Sequence, residues 1–485
     1  MKKTTAILLI AAQLAMFASC GDAASSDTTS ADTADTSAVP ETEITRENYP
    51  DTVPTDLDFG GITLTILARD DDGGLFTTEF LAEEENGDIL NDAIYHRRTY
   101  VEDRLNLTLE TIITPGNWAT QDNFMGKVTA SAMANDGEID IVPFYAVLQP
   151  TLASQNVYVN LLDDVPYINL EQPWWYQELI DHCTINDKLY LITGEIGIST
   201  IAMMSAIAFN RNLADEYLKD VDLYQTVRDG KWTLDTLLNY ARDVYHDVNG
   251  NTKADEEDIF GFDVGRGEPL IYASNVTLSR IENGFPVLAA NNERMITLVE
   301  KIQPFYKTNG YAPSSLKYPD SSCFAEGHVL FSHRYVRDIA SLREMEDDYG
   351  VLPLPKLDEA QDAYYTSLGE SYSQVAIMVS TDALEASAAA IELMAAEAYR
   401  SVTYVYYENV LKVKYARDDN TAEMLDILLN GITTNFIDVY SQMLGQPMVA
   451  LRDVVMSADK EFSSTYASIE ESTNLKIKAL FESME

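Results

Sequence analysis

Gly61-Ile62-Thr63-Leu64-Thr65-Ile66-Leu67 alternates apolar and polar residues and runs into the polar loop Ala68-Arg69-Asp70-Asp71-Asp72-Gly73-Gly74. Period-two alternation closed by such a loop reads as a half-buried β-strand. A helical pattern follows from about Ile89 to Leu105, with Tyr95, Tyr100 and Val101 on its apolar side. Leu107 to Ile113 reads as a second strand, a helix spans about Asn123 to Ala134, and Ile139-Asp140-Ile141-Val142-Pro143-Phe144 is a third strand. Strands alternating with helices of this length indicate βαβ units and a largely parallel sheet. In such sheets ligands gather beyond the carboxyl ends of the strands, and Arg69, Asp70 and Tyr145 stand at two of those ends.

Beyond residue 195 the pattern repeats. Ala206-Ile207-Ala208-Phe209 is a strand with a helix after it near Asn212–Leu218, and Trp232-Thr233-Leu234-Asp235 opens another helix with Thr233 or Asp235 near its cap. Trp232, in that opening, belongs to the core. Tyr349-Gly350-Val351-Leu352-Pro353-Leu354-Pro355 is a short strand stopped by prolines, an Ala-rich helix spans about Asp382 to Arg400, and the last hundred residues read as helical.

The 485 residues carry 33 Lys+Arg against 78 Asp+Glu, a net charge of −45. Nucleic-acid binding, which needs clustered cations, is excluded on that balance, and electrostatic docking on anionic lipid is disfavoured. The length suggests two or three domains. The 28 Tyr exceed what a core needs and supply amphipathic ring surface for sugar or peptide faces.

Lys2 and Lys3, the apolar run Ala6 to Phe17 and the small residues before Cys20 form a secretory signal, too short to span a membrane. Phe17-Ala18-Ser19-Cys20 resembles a bacterial lipobox, with Phe17 where Leu is usual, which implies lipidation of Cys20 and a body held at the cell surface or on the periplasmic side. Gly21 to Asp56 has nine acidic residues, one basic residue (Arg46) and few apolar ones, so it reads as a disordered acidic tether. The boundaries are a signal peptide over 1–19 and a lipidated linker over 20–56. Cys183 and Cys323 are the two cysteines of the body, either paired or as separate thiols.

Asp247-Val248-Asn249-Gly250-Asn251-Thr252-Lys253-Ala254-Asp255-Glu256-Glu257-Asp258 sets side-chain oxygens at positions 1, 3, 5, 9 and 12, with Lys253 at the backbone-carbonyl position. Calcium takes six to eight oxygens in such a wrapped loop. The stretch resembles EF-hand and dockerin loops, except that Thr252 replaces the glycine of position 6. A structural Ca²⁺ held by Asp247, Asn249, Asn251, Lys253, Asp255 and Asp258 is one reading, and a solvated acidic turn is the other.

Pro173-Trp174-Trp175, Asp187-Lys188-Leu189-Tyr190-Leu191-Ile192-Thr193-Gly194-Glu195, Ala208-Phe209-Asn210, Asp229-Gly230-Lys231-Trp232-Thr233-Leu234 and Tyr349-Gly350-Val351-Leu352-Pro353 occur in that order. Together they resemble the extracellular solute-binding proteins of family 1, the maltose-binding-like class that serves ATP-binding-cassette importers. The resemblance implies a two-lobed α/β fold of the periplasmic-binding-protein type (type II), with mixed or parallel sheets flanked by helices and a hinge between the lobes. It implies crossings near Gly194–Thr200, near Val329 and after Gly369, hence lobe 1 over 57–195 plus 329–369 and lobe 2 over 196–328 plus 370–485. Tyr145 and Tyr335 fall where that class places cleft rings. Trp174 and Trp175, the densest aromatic cluster, are further stacking candidates, and Arg69, Asp70 and Glu195 are candidates for hydrogen bonds to ligand. The implied partners are a small solute, most readily a sugar, and a membrane permease, with the receptor a monomer.

Gly-x-Ser-x-Gly, a phosphate loop and a His-x-x-Glu-His metal pattern are missing from the sequence, so an enzymatic reading has no residue to rest on. The alternatives are a surface glycan-binding lipoprotein without a transporter and a lipid-anchored glycan hydrolase.

Overall fold

Thr63 to Ala68 forms a strand because its apolar residues have cover on both faces: Leu64, Ile66, Leu67 and Ala68 are all buried. In the computed structural model, residues 43–71, 74–163, 165–313, 322–415 and 418–484 are described. The expected secretory signal, Cys20 with its expected lipidation, and the first part of the acidic linker lie outside these residues. In chain order the strands are β1 (Ile62–Asp70), β2 (Leu107–Pro115), β3 (Ile141–Tyr145), β4 (Ser205–Asn210), β5 (Tyr245–His246), β6 (Ile259–Asp263), β7 (Ser279–Glu282), β8 (Phe285–Leu288), β9 (Val329–Tyr335), β10 (Tyr349–Leu352) and β11 (Ser373–Ile377).

They build two main sheets, in the orders β11-β3-β1-β2 and β10-β4-β9-β6-β5, with β7 and β8 as a separate hairpin. β1 runs parallel to β2 and β3, and β11 joins β3 antiparallel. The βαβ reading of residues 61–145 is therefore correct. Its crossover helix, Ile89–Leu105, starts where the Asp88 side chain accepts from the Leu90 and Asn91 N–H groups, and stops at Asn106 in a left-handed conformation. Thr233 caps helix Leu234–Ala241 as its sequence suggests, and Trp232 is buried with its Nε1 donating to the Pro353 carbonyl at 2.8 Å. Cys183 and Cys323 are separate buried thiols.

The lobe boundaries differ from expectation. Residues 329–369, expected with lobe 1, supply β9 and β10 to the second sheet, while β11, expected in lobe 2, forms an edge of the first. β9 pairs antiparallel with β4, Ser205 opposite Tyr335, a contact across more than a hundred residues that no local pattern encodes. Within the described residues the strands take the chain between the sheets twice, and the C-terminal helices cross once more after Glu397. Ile192 still pairs with Val375 of the first sheet, and Met204 pairs with Leu368 on the second side, so both passages lie together between these bridges. Helix Leu384–Glu397, almost wholly buried, packs on helix Ile89–Leu105 of the first half, and helix Asp419–Asn430 packs on β10 of the second. The C-terminal region therefore serves both halves.

The linker is a second correction. Its described end is docked on the body by specific anchors. Arg46 pairs with Glu195 and lies 4.0 Å over the Tyr399 ring, while Tyr49 meets Trp174 edge-on at 6.1 Å. Arg400 donates to the Tyr49 carbonyl and to Asp51, and Val53 is buried. A composition averaged over 36 positions conceals a few such side chains.

Among the described residues no helix is long and apolar enough to cross a membrane.

Candidate functional site

Both passages are pinned from beneath by buried charge. Glu79 accepts from the Ser199 N–H of the first passage and from the Ser373 hydroxyl at the end of the second. Burial pushes its carboxyl upward against the opposing pull of these donors and of Arg69. Arg97, also fully buried, donates to the carbonyls of Ile196, Glu79 and Phe80 at 2.8, 2.6 and 2.8 Å. Arg97, through the Ile196 carbonyl, and Glu79, through Ser199 and Ser373, tie the first half to the segments that connect it to the second.

A cleft of about 510 Å³ opens beside the passages. Tyr145, at the end of β3, and Trp118, in the loop after β2, face it from the first half, their rings 6.4 Å apart at 82°. Tyr335, at the end of β9, and Arg266, just past β6, face it from the second. Gln442, Gln446 and Arg452 close it from the C-terminal helical region. Strand ends deliver the rings because side chains beyond a carboxyl edge are no longer committed to the sheet. A close approach holds Tyr335: a Cβ on Gly369, in the second passage, would stand 2.8 Å from its ring.

Of the residues expected from sequence, Tyr145 and Tyr335 are brought together in this cleft. Arg69 stands behind it. It is buried, with its guanidinium 3.8 Å over both the Tyr145 and Phe76 rings and donating to the Ser371 carbonyl. It therefore positions Tyr145 from beneath and does not line the cavity. Asp70 ends β1 opposite Pro115 and is not among the lining residues.

Trp174 and Trp175 are corrected outright. Both are buried: Trp174 packs against Tyr49 and Tyr399, and Trp175 Nε1 donates to Glu392 at 3.1 Å. A paired tryptophan beside proline has the same sequence whether it faces ligand or core, and here both indoles are covered. Glu195 is likewise outside the cleft, paired with Arg46 beside the first passage and pushed up to about 7 by burial, partly offset by Arg46. Sequence reasoning passed over Trp118, Arg266, Arg337, Glu370, Gln442, Gln446 and Arg452. The signal for Trp118 was present, a ring directly after the Gly116-Asn117 turn that follows β2. The others converge only through tertiary structure.

The acidic loop closes largely on itself. Asp247 accepts from the Asn251 and Thr252 N–H groups, and Asn249 and Asn251 both donate to Asp255. Thr252 takes φ +65° at the position where glycine is usual in calcium loops. Asp258 is buried and accepts from the Tyr245 hydroxyl and the Val248 and Asp255 N–H groups. Among the described residues no group of three or more His, Cys, Asp or Glu side chains gathers where a metal ion would sit. Oxygen from Asn249, Asn251 and the Lys253 carbonyl would have to complete any calcium shell here.

No protein-family model matches the sequence, and no curated protein is similar to it. Solved structures are. The cyclic α-maltosyl-1,6-maltose binding protein of Arthrobacter globiformis superposes with a TM-score of 0.58 at 14% identity, covering 87% of this chain and 100% of that one. The sugar-binding protein MalE of Xanthomonas citri gives 0.56 at 11%, covering 86% and 98%, and the acarbose-binding GacH receptor of Streptomyces glaucescens gives 0.53 at 12%, covering 87% and 99%. At these identities the likeness establishes the fold: a two-lobed α/β architecture of the MalE type.

Proposed function

We propose that this protein is a solute receptor that binds an oligosaccharide in the cleft between its lobes and presents it, lobes closed, to the permease of an ATP-binding-cassette importer. The observation that carries this is the meeting of Tyr145 and Trp118 from one half with Tyr335 from the other across one cavity. A pyranose offers flat C–H faces and a rim of hydroxyls, which suits rings backed by the amides of Gln442 and Gln446. The sugar receptors of similar fold support the ligand class. Lipidation at Cys20 would hold the receptor at the membrane.

Tyr145→Ala and Tyr335→Ala should each weaken sugar binding by about tenfold or more in calorimetric titration, the scale of one lost aromatic platform. Scattering should show a smaller radius of gyration at saturating sugar. Unchanged affinity in both variants would place the ligand elsewhere, and an unchanged radius would favour glycan capture without closure.

The calcium reading is carried forward as a proposal of its own, a structural ion on the 247–258 loop. Millimolar Ca²⁺ should then raise the unfolding midpoint over chelator by several degrees, since a ligand of the native state stabilises it by mass action. Asp255→Ala should abolish the rise. Equal midpoints in both conditions would assign the loop's closure to its hydrogen bonds alone.

A further inference from the structure

The chain has more than two carboxylates for every cation, 78 against 33, yet the cleft reverses that balance. Three guanidinium groups line it, Arg266, Arg337 and Arg452, and Glu370 is the one carboxylate among the lining residues. A fourth guanidinium, Arg69, lies behind the wall on Tyr145 and Phe76, with its Nε and Nη1 groups buried and without hydrogen-bond partners. Arg337 rests over the same Phe76 ring at 5.6 Å. Two cations thus share one aromatic support at the cleft floor.

The nearby carboxylates hold these cations unequally. Arg266 and Glu370 are 3.8 Å apart, too long for a hydrogen bond. Among the described residues Arg337 pairs with its chain neighbour Asp338, at 3.4 Å, and that carboxylate also accepts from the Tyr335 N–H. Arg337 remains 41% exposed toward the cavity it lines. Arg452 is the better paired, at 3.1 Å from Glu268 and 3.2 Å from Asp453. The local field shows in a neighbour: His333, buried beside Arg266 and Arg334, is pushed down to about 3, chiefly by burial and further by those two cations.

We propose that the cleft is built for an anionic oligosaccharide, a glycan carrying uronate carboxylates that Arg337 and Arg452 meet while its ring faces stack on Tyr145 and Tyr335. This rests on the sugar-receptor reading. A planar guanidinium matches a carboxylate with two parallel N–H donors, which an alcohol cannot reproduce. Low-dielectric walls strengthen that selection and steer an anion inward past a surface that otherwise repels it.

Calorimetric titration of the protein with trigalacturonate, maltotriose and a sulfated disaccharide, at low and at raised NaCl, tests this. Trigalacturonate should bind about tenfold or more tightly than maltotriose, as expected for charge-assisted hydrogen bonds, and lose several-fold in affinity at raised salt. Arg337→Gln should narrow that preference by about tenfold, whereas Glu370→Gln should hold or widen it. A preference is a ratio within one protein, so a variant that merely folds poorly does not imitate the result. Maltotriose binding as tightly as trigalacturonate, independent of salt, overturns the anionic ligand and leaves the sugar receptor standing. Preference for the sulfated sugar overturns the carboxylate assignment. Failure of all three to bind overturns the sugar reading beneath it.

Discussion

Arg97→Met should lower the unfolding free energy by about 3–5 kcal/mol, read as a shift of the urea midpoint at constant slope. The guanidinium is fully buried and donates to three carbonyls, those of Glu79, Phe80 and Ile196. Methionine fills a similar volume but offers no donor, so the cost is that of three buried acceptors losing their partner. Burial pushes Arg97 down to about 10, opposed by Glu79 and Glu397, so the group stays charged at neutral pH. Arg343→Met is the control: that side chain is exposed and pairs with Glu344 at the surface, so its loss should cost under about 0.5 kcal/mol. A loss below about 1 kcal/mol for Arg97→Met would show that water or relaxed backbone replaces its hydrogen bonds.

Glu195 and Glu392 should make stability fall as pH rises from about 5 to about 8, opposed below about 6.5 by buried His333, which is pushed down to about 3. Glu195 and Glu392 are both buried, and both are pushed up to about 7 from an ordinary value of 4.5, burial being the largest cause in each. A carboxyl raised on folding binds its proton in the native state where the unfolded chain has released it. Its contribution is full below about 4.5 and disappears as pH climbs through about 7. The change corresponds to about 3 kcal/mol for each group, an order-of-magnitude figure for such sites. Glu392→Gln keeps an acceptor for Trp175 Nε1 and the Asn169 N–H while removing the titration, so it should flatten roughly a third of the carboxyl slope, which Asp438, also pushed up to about 7 by burial, shares with Glu195 and Glu392. Urea midpoints across pH for both proteins measure this. A Glu392→Gln curve that runs parallel to that of the unaltered protein would place the charged form of Glu392 in the native state at neutral pH.

The first sheet was legible because β1 alternates and helix Ile89–Leu105 has its own start and stop residues, all local signals. Trp232 and the Thr233 cap were legible for the same reason. Assignment of β9 and β10 to a sheet was not, since it depends on pairing with β4, more than a hundred residues away. Of the cleft, only rings at strand ends could be anticipated, because a carboxyl edge is a place that sequence can mark. Arg266, Arg337 and Arg452 come from three distant segments with no shared spacing. Trp174 and Trp175 misled for the opposite reason: aromatic density is visible in sequence, but the direction a ring faces is not.

The docking of Arg46, Tyr49 and Asp51 has a mechanical side. These residues grip Glu195, Trp174 and Arg400, beside the place where the chain first leaves one half for the other. In any rotation of two bodies about a common axis, displacement grows with distance from that axis. Chain entering at the fulcrum therefore has the shortest lever arm and is disturbed least. A pull arriving at residue 45 would act close to the pivot, through first-half anchors such as Trp174 and Arg104, and would do little work on opening or closing.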